Sequence, residues 1–322
     1  MRTNWWVPIA ALVLTLLLSA ECTAWWACGH HIVAVMAYEE LRPQEREQLI
    51  QILKKHPRFD QDFKLPKGVR DEDRYWIGHA GYWPDVARDF EKWNRPTWHY
   101  QLGSSLSIGQ VKLPKDPGLL PNDATLETQE LYIKQAVTLC RNVLANHTET
   151  DANRAVAICW LAHLVGDAHQ PCHGGSLYVE RLFPDGDCGA NSIPTKQQEN
   201  LHALWDSLLG SRIDEGDVAR RIKEIRANER GWVEAKLELR NKNATDPSKW
   251  IRESQTLGRE YVYTTGVLNA VRAARRSGAK NVERVDLSPE YLKRAGGLAQ
   301  RRAAFAAHRL AAVWRECLRE CL

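Results

Sequence analysis

Over most of the chain apolar residues recur at three-to-four-residue intervals, with charged residues on the positions between them. That spacing gives a helix one apolar stripe to bury. It predicts helices over 30–41, 127–146, 153–169, 199–209, 217–239, 256–275 and 289–319. Ser288-Pro289 marks the last start, with a capping hydroxyl ahead of a first-turn proline. Strict alternation is scarce. One short hairpin is expected within 176–194, where Pro184, Gly186 and Gly189 supply turns. Segments 59–86 and 103–123 contain Pro and Gly and read as long connections, which in compact domains are usually functional or mobile. No repeat, low-complexity tract or linker divides the chain. The expectation is one all-α, mostly helical domain.

One run is apolar enough to meet a membrane. Arg2 precedes 13 apolar residues, Val7 to Ser19, and Cys22-Thr23-Ala24 places small residues where a signal peptidase reads. Thirteen residues fall short of the roughly 20 that span a bilayer. The expectation is a signal peptide over 1–24, a domain over 25–322, and a protein that is secreted or periplasmic without stable membrane association. Glu21 before Cys22 argues against a lipidated cysteine. Export permits disulfides, but the seven cysteines left after cleavage are an odd number. Cys172 and Cys188 are the preferred pair. No cysteine stands in a CxxC zinc pattern. Asn146 and Asn243 open glycosylation sequons wherever the host glycosylates.

Composition narrows the choice of partner less than it first suggests. With 44% apolar and 26% charged residues the chain can bury a core, so disorder is excluded. Net charge is only +4, too weak to mark a nucleic-acid binder by itself. Tryptophan is abundant, 13 residues beside 2 Met and 5 Phe. Trp160, Trp205, Trp232 and Trp314 are expected to be core packing.

The chemistry lies in the histidines and aspartates. His163-Leu-Val-Gly-Asp167 sets an imidazole and a carboxylate four residues apart on one helix face, where they can converge on one metal. His173 follows, just beyond the break expected at Pro171. His202-Ala-Leu-Trp-Asp206 repeats the spacing on a second helix. Each pair alone is a weak signal; two copies with a further histidine are a stronger one. His30 in WWACGH, Asp85 in YWPDVAR and His99 in TWHY stand singly, and spacing alone does not select them.

Taken in order, Trp25…Gly29-His30, Trp83-Pro-Asp85, Trp98-His99, HLVGDAHQPCH, GDCGAN and NLHALWD resemble the zinc-dependent single-strand nucleases of the S1/P1 family, related in fold to zinc phospholipase C. The resemblance spans 25–206, with an echo at Ala307-His-Arg-Leu-Ala311. It implies three Zn²⁺ per chain. Trp25, through its α-amino nitrogen and carbonyl oxygen, would hold one zinc with His30 and Asp167. Asp85, His99 and His163 would hold a second, with Asp167 bridging. His173, His202 and Asp206 would hold the third. Arg88 would contact the phosphate beside Asp85 in the catalytic centre, Tyr100 would stack on a base, and Asn191 would touch substrate.

The implied reaction is hydrolysis of single-stranded DNA and RNA to 5′-nucleotides by a zinc-activated bridging hydroxide, with 3′-nucleotidase activity, in a monomer. Three divalent ions against three aspartates leave a positive cluster that composition cannot show. The sequence departs from the family at Trp26, where glycine is usual, and at Ala190 in the GDCGAN loop. It also lacks an acidic base reader at Gln101-Leu102. His31, His79 and His169 match no ligand position and are expected beside ligands or facing solvent, with His169 the best placed to orient one. Two other readings stay open: a lipid phosphodiesterase on the same cluster, and an exported zinc-stabilised binding protein without catalysis.

Overall fold

The computed structural model describes residues 25–319; the expectations placed on 1–24, and Cys321, lie outside the described residues. The domain is mostly helical, with one two-stranded sheet among the described residues. No helix there is long and apolar enough to cross a membrane. Its centre is the helix Asp151–His169, which is buried on all sides over its last fifteen residues, from Ala155 onward. Thr150 caps its start by accepting from the Asn153 amide. Around it pack the first helix, Ala27–Glu39, the helices Glu72–Val86 and Ile133–Ala145, and the long C-terminal helix, Pro289–Leu318. Their facing stripes form one large apolar core, and a smaller second core lies under the sheet and the short helix Leu201–Ser207.

Close approach of three helices depends on glycine. A Cβ on Gly81 would stand 2.8 Å from the His30 carbonyl oxygen, and one on Gly166 would stand 2.9 Å from His30 Nδ1. Any larger residue would push the first helix off the other two.

Several boundaries differ from the sequence expectation. The segment 59–86, read as a connection, contains the Glu72–Val86 helix, with Asp71 capping it through the Arg74 amide. Gly78, Gly81 and Pro84 disguise it: the glycines serve packing, and the proline sits in the last turn. A helix at Pro43–Leu53 was also not foreseen. The stretch 217–239 divides at Asn228, whose side chain caps Glu229–Glu238. The stretch 256–275 divides into the end of Pro247–Leu257, a π-turn at 258–262 and Thr265–Ser277.

The expected hairpin within 176–194 is not formed as such. Ser176–Val179 pairs in parallel with Ser104–Ile108, a strand inside the other presumed connection. Only an isolated antiparallel bridge, Val179 to Phe183, remains within the segment. No disulfide is shown among the described residues, the expected Cys172–Cys188 pair included. Cys172 is buried in the first turn of Pro171–Gly174, and Cys188 is exposed in a left-handed turn with φ 56°.

Candidate metal centre and cleft

Helix periodicity and one proline build the site. His163 and Asp167 lie one turn apart near the end of the central helix, and their Nε2 and Oδ2 atoms are 3.3 Å apart. Gly81 and Gly166 let the first helix bring His30 against them: His30 Nε2 is 3.3 Å from Asp167 Oδ1, and the His30 and His163 rings stack at 3.8 Å. The helix Glu72–Val86 ends on Asp85, whose Oδ1 is 3.8 Å from His163 Nε2. A short 3₁₀ turn, Pro96–His99, adds His99, with Nδ1 3.3 Å from Asp167 Oδ2 and 2.8 Å from His163 Nε2. Five expected ligands, His30, Asp85, His99, His163 and Asp167, thus form one contiguous buried nest centred on His163 and Asp167.

Pro171 ends the central helix, and the chain turns through Pro171–Gly174 to place His173. Its Nε2 lies 3.0 Å from His202 Nε2. Asp206, one turn beyond His202, sets Oδ2 3.3 Å from His202 Nε2. These three make a second buried group. Backbone carbonyls aim the rings: Gly81 O meets His163 Nδ1 at 2.8 Å, Gly189 O meets His202 Nδ1 at 2.6 Å, and His99 O meets His173 Nδ1. Such contacts fix the tautomer that leaves the other nitrogen for a ligand. Gln101 N–H donates back to His173 O, so the 96–101 segment and the 171–174 turn hold each other.

Trp25 is completely buried against Gly29, and the next amide, Trp26 N–H, donates to Asp206 O at 3.2 Å. The start of the described chain is therefore pinned to the helix carrying Asp206.

Protonation matches the geometry. Burial pushes His30 down, helped by His163; burial and then Arg88 push His99 down to about 4; burial pushes His173 to about 3. All three are neutral at pH 7, the form that offers a lone pair. Burial works against the charge of Asp85 and Asp167, but His163 outweighs it with its neighbours, and both carboxyls titrate below their ordinary range. His163 is raised, because Asp167 and Asp85 together overcome its burial. Two buried carboxylates thus attract positive charge to the centre of the nest.

A metal fits there. Both ring nitrogens of His30, both carboxylate oxygens of Asp167, Asp85 Oδ2 and His99 Nε2 are buried without a hydrogen-bond partner. Each such orphan costs about 1–3 kcal/mol, and six in one nest are accounted for by a cation that takes lone pairs. The donor set is all nitrogen and oxygen, suited to zinc.

Beside the nest opens a cleft of about 670 Å³. Arg88, Tyr100 and Asn191 line it together with His173 and His202, so the expected substrate residues and the second ligand group meet at one surface. Arg88 Nε donates to Asp85 Oδ1 at 2.9 Å, which ties the cleft to the nest. One cleft wall is the turn 188–190, where Cys188, Gly189 and Ala190 are all left-handed, with φ of 56°, 61° and 73°. A Cβ on Gly189 would stand 2.4 Å from the Cys172 carbonyl oxygen. Ala190 therefore takes the left-handed geometry without a glycine's freedom.

The S1/P1 nuclease family model matches residues 25–319, the whole described chain. The chain belongs to the S1/P1 nuclease family. Among named relatives, Endonuclease 3 of Arabidopsis thaliana is 24% identical over 279 residues, covering 80% of this chain and 81% of that protein. Endonuclease 5 of the same plant is 26% identical over 214 residues, covering 63% and 62%. Endonuclease 4 is 32% identical over 81 residues, 24% and 23% of the two chains. Membership makes the protein a nuclease, with nucleic acid as its class of substrate.

Around this S1/P1 site the structure adds residues that sequence reading missed. Arg302 Nε donates to the His169 carbonyl and Ser254 Oγ to the Ala168 carbonyl, satisfying the open end of the central helix. Arg302 and Arg309 both donate to Glu253, which they hold down to about 2 against the effect of burial. No motif signals this clamp, because its members come from helices 86 and 133 residues downstream of the carbonyls they meet, in irregular spacing. His169 does not orient a ligand: its nitrogens meet Val165 O and Arg309, 2.7 and 2.8 Å away. Neither it nor His31 faces solvent. His79 is half-buried and edges onto Phe63. Trp160, Trp205 and Trp314 are core, as expected; Trp232 is half-buried against His308.

Proposed function

We propose that this nuclease is a trinuclear zinc phosphodiesterase that cleaves single-stranded DNA and RNA to 5′-nucleotides and also removes 3′-phosphates. The observation that carries the reading is the junction itself: an orphan-rich buried ligand nest, joined through Asp85 and Arg88 to a cleft holding Tyr100 and Asn191. His30 and Asp167, with the α-amino nitrogen and carbonyl oxygen of Trp25, would hold one zinc. Asp85, His99 and His163, sharing Asp167, would hold another, and His173, His202 and Asp206 the third.

Bound zinc supplies Lewis-acid polarisation of a phosphoryl oxygen and activates water near neutral pH. The chain does the rest. Arg88, steered by Asp85, meets the charge that grows on the phosphate in the transition state. Tyr100 offers a face for an unpaired base to stack on. Asn191 holds the substrate from the opposing turn. A paired base cannot leave its stack without cost, so a recessed centre favours single strands. The α-amino ligand requires removal of residues 1–24, which accords with export to the periplasm or beyond.

The test is an assay of the protein beginning at Trp25 on single-stranded DNA, duplex DNA, a 3′-nucleotide and phosphatidylcholine, before and after chelation. Single-strand and 3′-nucleotide hydrolysis, lost on chelation and restored by zinc, is expected. Activity on phosphatidylcholine alone would favour the lipid phosphodiesterase, and no hydrolysis with full zinc the binding protein. Retaining residues before Trp25 should remove one zinc and most activity; full activity would refute that role for Trp25.

A further inference from the structure

Gln170 belongs to none of the ligand groups, yet it is fully buried between them. Its amide Nε2 donates to Asp206 Oδ1 at 2.6 Å, and its Oε1 accepts from the Cys172 backbone N–H at 2.5 Å. Its own backbone joins both sides: Gln170 N–H donates to Asp167 O, and His173 N–H donates to Gln170 O.

These bonds fix which way the amide points. A flipped amide would set its NH₂ against the Cys172 donor and its oxygen against a carboxylate, losing both bonds and adding two repulsions. The side chain therefore presents a donor to Asp206 and nothing else. The two carboxylate oxygens are thereby made unlike: Oδ1 takes the amide, with His173 Nε2 3.9 Å away, and Oδ2 stands 3.3 Å from His202 Nε2. Trp26 N–H holds the Asp206 backbone at the same time.

We infer that Gln170 is a positioning residue that orients Asp206, so that Oδ2 is its metal-facing oxygen and the His173–His202–Asp206 group is set before metal arrives. Partners of this kind typically contribute 10–100-fold to metal affinity. The inference rests on the zinc reading above. It also explains why glutamine stands here: glutamate would offer Asp206 an acceptor, and an apolar residue would leave Oδ1 and the Cys172 amide unmet.

The test is Gln170→Met, which keeps length and apolar volume but removes both bonds, in the full mature protein. Zinc content and affinity are read by competition with a chromophoric chelator, with helix content and melting followed alongside. The expected result is two tight zincs unchanged and the third weakened by about 10–100-fold, with near-native helix content. Cobalt substitution should alter one of three d–d components.

Equal weakening of all three sites, or three unchanged sites, overturns the inference. A merely structural role would loosen the shared Asp167 sites as well. Should Gln170→Met fail to fold, Gln170→Glu is read in its place, with the same selective loss expected. A wild-type protein that binds no zinc would sink the metal reading itself, which is a different outcome from either.

Discussion

The two His-x3-Asp pairs share their spacing and even their distance, 3.3 Å between Nε2 and Oδ2 in each, but they sit in different surroundings. His163 and Asp167 lie in a nineteen-residue helix with four others packed around it, and two further histidines and a second aspartate converge on them. His202 and Asp206 lie on a seven-residue helix at the cleft, where His173 completes their candidate ligand group. A spacing rule identifies a candidate ligand pair; the packing around it sets how many further donors reach it. On the proposed zinc reading Asp167 would be shared between two metals and Asp206 would serve one.

Asp167→Asn breaks this comparison most severely. It should remove two of three zincs and lower single-strand cleavage by roughly 10³-fold or more, measured by elemental analysis and initial rates. Asp206→Asn should remove one zinc and cost about 10²-fold. Equal metal loss in the two variants would show that the surroundings do not matter. Arg88→Ala should also lower kcat by about 10²-fold, but with all zincs retained, because Arg88 meets the nest at Asp85 as a donor and offers no lone pair to a metal.

Much of this contrast was legible beforehand and some was not. The pairs could be read because a helix repeats every 3.6 residues, so i and i+4 share a face whatever the fold. Asp85 could not be read that way. Its helix reads as a connection from sequence, since Gly78, Gly81 and Pro84 lower helix propensity and close packing on His30 and His31 explains the glycines. The misplaced hairpin has a similar cause. Residues 176–179 find their partner at 104–108, and no local pattern encodes a parallel pairing across some seventy residues. The clamp of Glu253, Arg302 and Arg309 is equally non-local.

Tyr100→Ala sharpens the comparison on the cleft side. It should raise KM for single strands by about tenfold, with a stacking contribution of roughly 1–3 kcal/mol per base, while leaving zinc content and kcat nearly unchanged.

A further effect, on stability rather than activity, concerns acid. Burial pushes His56 down to about 3 and His79 to about 4. Their folded values lie below the unfolded value near 6.5, so the unfolded chain binds the extra protons and stability falls as pH drops below about 6.5. For His56 this amounts to about 2 kcal/mol between pH 7 and 5. Asp85 and Asp167 run the same way at lower pH: their depressed values contribute stability above about pH 4, and it is lost progressively as pH falls below that toward their folded values. In metal-free protein, His56→Phe should flatten the loss of stability from pH 7 to 5 by about that amount, followed by denaturant midpoints. An unchanged slope would assign the acid sensitivity elsewhere.

The central claim is that three buried ligand groups each hold a metal in a single-strand nuclease. Elemental analysis of the protein beginning at Trp25, paired with its Asp206→Asn variant, tests it most directly. The account predicts three zincs per chain, falling to two in the variant. A protein that cleaves single strands with no bound metal, or a count that Asp206→Asn leaves unchanged, would contradict it.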